Sequence, residues 1–500
     1  MTDELSPHAG RPRDVGSGPY PRLLLRNAMV VDGTGAPPIG PADIVIERDR
    51  IVRIHLVGRP TGPVLQPPER PEIGPEGHEI DLAGHWVLPG FVDAHGHIGW
   101  PGHVPDAQYV YDLWLAHGIT SVREPGCSLN GLDFVRREAD RSAADEIGAP
   151  RIAPYVAFGE GHPAPFTSPD EAKSWVASVA ERGAAGIKFF GYRADIYRAA
   201  LEEATALGLG SACHHHQSWS AQATALDSAR WGLSSIEHFY GIPETLSSAG
   251  ELHPYPADYN YQDEVDRFTE SGRSWLRTSE PGSAAWGRVV DEFVATGVTL
   301  DPTFGVYTGL RDAGRVQRLE WHRDYTAREL WQYWQPDSGA HGSFFADWGT
   351  ESEQLWRVHF ARWMAFVKDF FDRGGRVTVG TDPGSIFGLF GFGFPQELEM
   401  LREAGLTPLE IIRSATWWGA ELLGTADRVG TVEAGKLADL CIVAENPLAN
   451  LKVLYGTGHH RLGPDGMRSV GGVRYTVKGG VVYDAPALLE RVRDTVAAGR

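Results

Sequence analysis

The residues of this sequence that point most directly to chemistry are two histidines, His95 and His97. They follow a short apolar run, residues 86–94, which is punctuated by Pro and Gly and predicts a buried strand. Residues two apart on an extended chain point to the same side, so the two imidazoles can bind one metal ion. A divalent metal lowers the pKa of bound water to about 7, which is what a hydrolytic centre requires.

Four further candidate ligands lie downstream, each at the end of a predicted strand: Lys188, His214, His238 and Asp382. The carboxyl ends of parallel barrel strands meet at one rim, where the active sites of such folds lie. Imidazole and carboxylate ligands suit zinc, and a catalytic zinc keeps one position open. Asp382 is also the predicted general base, which accepts the proton of water. Its alternative role is to cap the helix that follows.

Two of these candidates allow a second interpretation. Lys188 lies among apolar residues, where a buried amine with a lowered pKa can react with carbon dioxide to form a carbamate that bridges two metals. The alternative is a buried ion-pair partner or a side chain that reaches out to solvent. Strand alternation sends His214 and His216 to the same side. The strand runs directly into His214, which is therefore preferred, and His216 remains the alternative ligand.

Short apolar strands alternate with helical stretches through the middle of the chain, which is the pattern of a parallel α/β fold, and eight such strands predict a closed barrel. The predicted barrel strands are 87–93, 121–123, 152–158, 186–190, 211–214, 235–238, 298–302 and 377–382. Further strands are predicted near the two ends of the chain, at 23–31, 42–54, 80–88, 435–443, 472–477 and 481–483. We expect the two ends to pair into one small β domain beside the barrel.

Composition argues against several classes of partner. The 500 residues carry a formal net charge of -19, which disfavours nucleic acid and anionic membranes as partners. The cysteines, Cys127, Cys213 and Cys441, show no disulfide pattern, so we expect a reducing, cytoplasmic location. The first residues lack the apolar stretch of a signal peptide, and no apolar run is long enough to predict a transmembrane helix.

Several motifs combine into a resemblance that covers nearly the whole chain past residue 22. They are the stretches 88–97 (LPGFVDAHGH), 118–123 (GITSVR), 186–188 (GIK), 235–238 (SIEH), 379–382 (VGTD), 397–405 (ELEMLREAG), 414–416 (SAT), 430–440 (GTVEAGKLADL) and 446–448 (NPL). With these motifs the chain resembles the amidohydrolase superfamily of metal-dependent hydrolases. It is most similar to the imidazolonepropionase-like and Xaa-Pro dipeptidase-like branch.

The resemblance implies an α/β fold, a distorted (β/α)8 TIM-type barrel with a small β-sandwich domain formed from both chain termini. The implied divisions are sandwich parts over 22–88 and 423–500 and the metal-dependent barrel over 89–422. The polar composition of residues 1–21 predicts a disordered tail or a tag-like extension. The resemblance also implies two divalent metal ions, with zinc as the first choice. One is held by His95, His97 and Asp382 and the other by His214 and His238, and N6-carboxylated Lys188 bridges them.

One segment, at about 240–365, is longer than the barrel needs and rich in aromatic residues. It holds eight of the 16 tryptophans, namely Trp275, Trp286, Trp321, Trp331, Trp334, Trp348, Trp356 and Trp363. Two interpretations remain open, and both can hold at once. One is a lid over the active site that is lined with aromatic rings, and the other is a helical insertion with its own aromatic core.

Candidates for contact with the substrate come from the loops after the strands. The family often carries Gly-His after its third strand, and Gly161-His162 fits that pattern. The resemblance implies that His162 is catalytic and substrate-binding, polarising the scissile carbonyl or contacting a substrate carboxylate, whereas the alternative is a solvated loop histidine. Tyr192, Tyr240 and Tyr307 follow strands four, six and seven and are candidate donors to an oxyanion, with packing as the alternative role.

The function predicted from these observations is hydrolysis of an amide-type C–N bond in an N-acyl, dipeptide-like or cyclic amide. Metal-bound hydroxide is the expected nucleophile, with Asp382 as the general base. The alternatives are hydrolysis of an ester, carbamate or lactone at the same site, deamination of a heterocycle and, last, a non-catalytic scaffold. The expected partner is a small molecule with an apolar or aromatic part, and similar proteins are commonly homo-oligomers.

Overall fold

The computed structural model describes Leu5 and residues 16–58, 69–126, 130–247, 255–343 and 348–499. Cys127 and most of the predicted N-terminal tail lie outside these residues. Within them the chain forms a parallel sheet of eight strands, a mixed sheet of nine strands and a separate two-stranded hairpin. None of the helices in these ranges combines the length and apolar character that a membrane span needs.

The eight-stranded sheet confirms the predicted barrel. Its parallel strands are β7 (Phe91–Asp93), β8 (Ile119–Pro125), β9 (Arg151–Ala157), β10 (Gly186–Phe189), β11 (Gly210–Cys213), β12 (Ser235–Glu237), β13 (Thr299–Asp301) and β14 (Arg376–Val377). Ala94 donates from its backbone N–H to the carbonyl of Val379 (2.8 Å), and Asp382 donates to the carbonyl of His95 (2.7 Å). These two bonds join the first strand to the chain beyond the last, so the sheet curls into a ring.

Helices pack around the barrel and build the segments between its strands. Those that precede β13 are α1 (Ala107–Ala116), α2 (Leu132–Ala143), α3 (Pro169–Glu181), α4 (Ala194–Ala206), α5 (Ala225–Arg230), α6 (Ile242–Thr245), α7 (Glu264–Ser274) and α8 (Ala284–Thr296). Local sequence explains where they begin. At α3, for example, Ser168 and Glu171 form a capping box around Pro169, which satisfies backbone donors at the first turn.

The helices that follow β13 complete the barrel and its insertion. They are α9 (Phe304–Arg311), α10 (Ala313–Val316), α11 (His322–Tyr325), α12 (Arg328–Tyr333), α13 (Thr350–Asp372), α14 (Gly393–Glu403), α15 (Pro408–Ala415), α16 (Trp417–Leu422) and α17 (Ala485–Ala498). Short 3₁₀ turns lie at Gln217–Trp219, Trp275–Arg277 and Leu451–Leu454.

Both ends of the chain contribute to the nine-stranded sheet, as the sequence predicts. Its strands are β1 (Gly16–Ser17), β2 (Leu23–Val30), β3 (Ile39–Glu47), β4 (Arg50–Leu56), β5 (His78–Asp81), β6 (Trp86–Pro89), β15 (Leu440–Val443), β18 (Val473–Lys478) and β19 (Val481–Asp484). The remaining strands, β16 (His459–Gly463) and β17 (Gly466–Val470), form the separate hairpin. Because β6 pairs with both β2 and β15, the two termini share one continuous sheet and one apolar core.

Several strand boundaries differ from the prediction. The predicted strand 42–54 is two strands, because the chain turns at Arg48, which has a positive φ of 54°. The predicted strand 80–88 is likewise two, β5 and β6. Strand β1 pairs with β19, so the sheet begins within the segment predicted to be a disordered tail.

The aromatic insertion lies on both sides of β13, between β12 and β14. Five of its tryptophans are fully buried, namely Trp275, Trp286, Trp334, Trp356 and Trp363. Trp356 stacks on Tyr307 with ring centroids 5.9 Å apart, and Trp363 packs on Phe304 at 4.3 Å. These buried rings match the interpretation as an aromatic core.

An ion pair joins the barrel to the nine-stranded sheet. Arg151 at the start of β9 donates to both oxygens of Asp439, at 2.9 and 3.1 Å, and the Asp439 side chain is buried. Asp439 also accepts from the backbone N–H of Gly479 at 2.7 Å. The same carboxylate therefore fixes the barrel against the turn between β18 and β19.

We expect Asp439→Ala to lower the free energy of unfolding by about 3 kcal/mol, because it leaves a mostly buried guanidinium without its partner. Glu202→Ala removes the partner of exposed Arg198 on α4 and is the matched control, with an expected change of less than about 0.5 kcal/mol. Urea unfolding of the two variants measures both values. Equal midpoints for the two variants would contradict the structural role of Asp439.

Candidate metal centre

The six predicted ligands converge on one cavity at the carboxyl ends of the barrel strands. The cavity has a volume of about 220 Å³, and all six side chains line it: His95, His97, Lys188, His214, His238 and Asp382. They come from the ends of β7, β10, β11 and β12 and from the chain after β14. Parallel strands that share one direction bring residues far apart in the sequence to one rim.

His95 is held by a chain of buried charges. Its Nδ1 lies 2.5 Å from Oε2 of Glu237, and Glu237 in turn accepts from the guanidinium of Arg123 at 2.8 Å. Arg123 is fully buried and also donates to Asp301 at 3.2 Å. Because Nδ1 faces a carboxylate, the ring carries its proton there and presents Nε2 to the cavity, which is the arrangement that metal-binding histidines adopt.

His97 has its own carboxylate partner. Its Nδ1 lies 2.8 Å from Oε1 of Glu124, and the other oxygen of Glu124 accepts from the backbone N–H of Ile98 at 2.6 Å. The side chain and the following backbone are thereby held by the same carboxylate. Nε2 of His97 faces Asp382, 3.3 Å from its Oδ1.

Asp382 lies at the centre of the cluster. Its Oδ1 is 3.6 Å from Nε2 of His95, and its Oδ2 is 3.8 Å from Nε2 of His238. Burial acts to raise the pKa of this carboxyl, but the neighbouring imidazoles of His95, His97 and His238 hold the pKa well below its usual range. Asp382 is therefore an anion ready to bind a cation.

The backbone around the cluster is strained in the way that functional sites often are. Asp382 and His238 have positive φ values of 47° and 63°, which non-glycine residues rarely adopt. At Gly380 an added Cβ would come within 2.5 Å of the Asp301 carboxylate oxygens and 2.6 Å of the His95 side chain. The Val379–Asp382 turn therefore requires a glycine to bring Asp382 into place.

The other three candidates surround the same space. The ring centroids of His214 and His238 lie 4.7 Å apart. Nδ1 of His238 contacts the hydroxyl of Thr303 at 2.5 Å. Nζ of buried Lys188 lies 3.4 Å from Nε2 of His95. Burial lowers the pKa of Lys188 and of both histidines, so the imidazoles are neutral and can act as ligands.

The donor set fits a divalent metal. One ligand atom from each of His95, His238 and Asp382 lies within 4.8 Å of the other two. Neutral imidazoles and an ionised carboxylate are the ligands that zinc and related metals take. The contacts of Nδ1 in His95 and His238 leave Nε2 of each ring available to an ion. Burial acts to lower the pKa of His97, but the carboxylates of Glu124 and Asp382 raise it to about 10, so a metal ion at Nε2 would displace a proton there.

The structure separates the three contiguous histidines. His214 lines the cavity, whereas His215 turns the other way and contacts the hydroxyl of Ser228 at 2.6 Å. His216 stacks on Tyr261 with ring centroids 3.3 Å apart, and its Nδ1 accepts from the backbone N–H of Ser218. His216 is absent from the cavity lining formed by the described residues, so the structure brings His214, rather than the alternative, to the cluster.

The predicted substrate contacts are not brought to the cavity wall in the described part of the chain. Nδ1 of His162 lies 2.5 Å from the carbonyl of Ala164, and its ring packs on Phe166 at 4.5 Å, because the loop after β9 folds back on itself.

The three candidate tyrosines also make other contacts. Tyr192 donates to the carbonyl of Phe166. Tyr240 and Tyr307 pack behind the ligands, with ring centroids 4.6 Å from His214 and 5.5 Å from His238.

Several residues at the site were missed by the sequence reasoning. Glu124 directly follows the motif 118–123 and Glu237 lies within the motif 235–238, and these positions were an available signal. The walls of the cavity come instead from Trp100, Tyr333 and His341. Trp100 and Tyr333 meet at 84° with ring centroids 5.6 Å apart. Tyr333 and His341 belong to the insertion, so no local pattern places them here.

Comparison with known proteins gives one family match and several distant relatives. The model of the amidohydrolase family matches residues 360–480. Uncharacterized proteins of Mycobacterium bovis and Mycobacterium tuberculosis are each 30% identical over 112 residues, which is 22% of this chain and 15% of theirs. The chain thus matches only about 15% of the length of these curated relatives.

Solved structures share the fold over almost the whole chain. A Xaa-Pro dipeptidase with bound methionine is 19% identical with a TM-score of 0.60 and covers 93% of this chain and 100% of its own. Bottromycin amidohydrolase is 19% identical with a TM-score of 0.64, covering 97% and 91%. Ochratoxinase of A. niger is 15% identical with a TM-score of 0.58, covering 93% and 96%.

These structures support the barrel and its flanking sheet, while the family match rests on sequence. The matched segment includes Asp382. It begins within α13 and ends just after β18. The family match thus covers residues 360–480, whereas the shared fold extends over almost the whole chain.

Proposed function

We propose that the protein is a metal-dependent hydrolase that cleaves an amide-type C–N bond in a small molecule. The observation that carries the proposal is the convergence of six ligand-type side chains on one cavity at the carboxyl ends of the barrel strands. The match of residues 360–480 to the amidohydrolase family model supports it, as do similar structures that are named a dipeptidase and an amidohydrolase.

The residues suggest a division of roles. In the proposal His95, His97 and Asp382 would hold one divalent ion, and His214 and His238 would hold a second. Lys188, as its carbamate, would be a ligand to both. The bound metals, with zinc as first choice, would acidify water and polarise the scissile carbonyl. Asp382 would accept the proton of the attacking water and return it to the leaving nitrogen, because its carboxylate is anionic and central in the cluster.

The cavity walls indicate the kind of substrate. Trp100, Tyr333 and partly exposed Phe190 supply apolar surface around the ligands. Aromatic walls favour an apolar or flat group, and a cavity of about 220 Å³ admits one small residue-sized part of the substrate beside the cluster. N-acyl amino acids, dipeptides and cyclic amides with an aromatic group are the compounds to test.

The zinc-loaded protein is expected to release amine from at least one amide of such a panel, each tested beside the matched ester. Asp382→Asn should lower kcat/KM by about 10³-fold or more, because both a ligand and the proton acceptor are lost. The control is Asp427→Asn, which changes an exposed carboxylate that is not part of the cavity lining. This variant should retain wild-type rates. Metal-loaded protein that cleaves only the esters, or nothing, would refute the amidase proposal.

Lys188 is expected to carry a carboxyl group when metal is bound. Intact-protein mass spectrometry under native conditions should show the added mass of one carbon dioxide, and elemental analysis should show two metal ions per chain. Lys188→Ala should lose the added mass and lower the metal content, whereas Lys173→Ala on α3 should change neither. A wild-type protein that binds two metals with an unmodified lysine would exclude the carbamate bridge.

Glu124 is expected to tune metal binding through His97. Glu124→Gln keeps an oxygen for the N–H of Ile98 but removes the charge beside Nδ1 of His97, so metal affinity should fall roughly 10–100-fold. Chelator competition measures the affinity. Glu138→Gln changes an equally buried carboxylate that contacts Tyr111 and Arg141, and it should leave metal affinity unchanged. Equal affinities for the two variants would contradict this role.

A further inference from the structure

The insertion places one imidazole, that of His341, in the wall of the cavity that the candidate ligands line. The His341 side chain is 68% exposed. Its backbone is held on both sides, because the hydroxyl of Tyr333 donates to the carbonyl of His341, and Ile386 donates from its N–H to the carbonyl of Gly342 at 2.8 Å. The ring is therefore exposed to the cavity on a fixed piece of backbone.

A buried ion pair on α7 lies behind the ring. Arg267 and Glu264 are only 2% exposed, and NH1 of Arg267 donates to Oε1 of Glu264 at 3.0 Å. The guanidinium also lies over the rings of Tyr261 and Tyr240, at 4.9 and 5.9 Å from their centroids. This packing leaves Arg267 little freedom to move away from His341.

The contact between Arg267 and His341 decides where the imidazole carries its proton. NH1 of Arg267 lies 2.5 Å from Nδ1 of His341. A guanidinium keeps all its protons, so Nδ1 must accept at that distance, because a proton on Nδ1 would collide with the donor. Oε1 of Glu264 lies 3.1 Å from Nδ1 and accepts from the same NH1 group at 3.0 Å, so the shorter contact, that of Arg267, sets the role of Nδ1.

With Nδ1 as the acceptor, the imidazole N–H lies at Nε2. Within the described residues Nε2 has no protein partner, and it belongs to the part of the ring that Arg267 and Glu264 leave uncovered. An N–H group in the wall of a cavity can donate to a ligand that brings an oxygen atom. Because the proposed metals would polarise the scissile carbonyl, the oxygen that meets His341 would be a second one.

We propose that His341 is a substrate-binding residue whose Nε2–H donates to a second oxygen of the amide substrate, and that Arg267 is the positioning residue that sets its tautomer. This inference rests on the proposed amide hydrolysis and narrows its substrate class to amides with a further carboxylate or carbonyl group. N-acyl amino acids and dipeptides have such a group. Simple amines acylated on nitrogen do not.

The tautomer is tested without any reaction. Long-range ¹⁵N–¹H spectra of the histidine-labelled full-length protein report which ring nitrogen is protonated, and His341→Gln identifies the signal by its loss. We expect a protonated Nε2 and an unprotonated Nδ1 in the wild type. In Arg267→Met the Nδ1-protonated form should appear. A protonated Nδ1 in the wild type would overturn the role of Arg267.

The substrate contact is tested with N-acetyl-phenylalanine and its primary amide. His341→Ala should raise KM by about 10–100-fold, as expected for losing a hydrogen bond to a charged group, with kcat changed only a few-fold. His341→Gln, whose amide restores an N–H, should recover most of the loss. An effect confined to the free acid identifies a carboxylate as the acceptor, and equal effects on both compounds identify a carbonyl. Metal content should be the same in all variants.

Failure of this inference is distinguishable from failure of the proposed function. If the metal-loaded wild type hydrolyses neither compound nor any other amide, the proposed function fails, and calorimetric titration of the same two compounds then measures the contact directly. An unchanged KM in His341→Ala, or an unchanged affinity in the titration, would overturn the role of His341. A loss of metal in that variant would also overturn it, because it would show a structural role instead.

Discussion

The buried guanidinium of Arg123 is the interaction on which the site depends. It lies inside the barrel, where an unpaired charge would be very costly, and it is compensated by Glu237 and Asp301 from two neighbouring strands. Glu237 in turn fixes the ring of His95. One cation therefore links β8, β12 and β13 to the orientation of a candidate ligand. The stability of the barrel interior and the geometry of the cluster rest on the same charges, so neither can change alone.

The site is built from two parts of the structure, the barrel ends and the insertion. The barrel ends supply the donors, and carboxylates behind them, Glu124 and Glu237, set which nitrogen of each imidazole faces the cavity. The insertion supplies the wall through Tyr333 and His341, and its tryptophans form a core that holds this wall in place. In the proposed function, chemistry and recognition therefore come from different segments of the chain.

The prediction from sequence was most successful where local pattern and barrel topology act together. The strands that carry His95, His214 and His238 were recognised from short apolar runs, and their ends meet because parallel strands share one rim. His162 also follows β9 as expected, but its ring packs on Phe166 and is not part of the cavity lining in the described residues. A loop residue has no periodicity that fixes its direction. Tyr192 likewise follows β10, but its hydroxyl donates to the carbonyl of Phe166.

The sequence by itself determined the barrel, the paired sheet from both termini and the types of side chain at the rim, because strand periodicity and turn residues are local properties. Only the tertiary structure decided which side chains support and surround them. His95 and Glu237 are 142 residues apart, and Arg267 and His341 are 74 apart. Such contacts depend on how helices and loops pack over the barrel, and no local spacing encodes that packing.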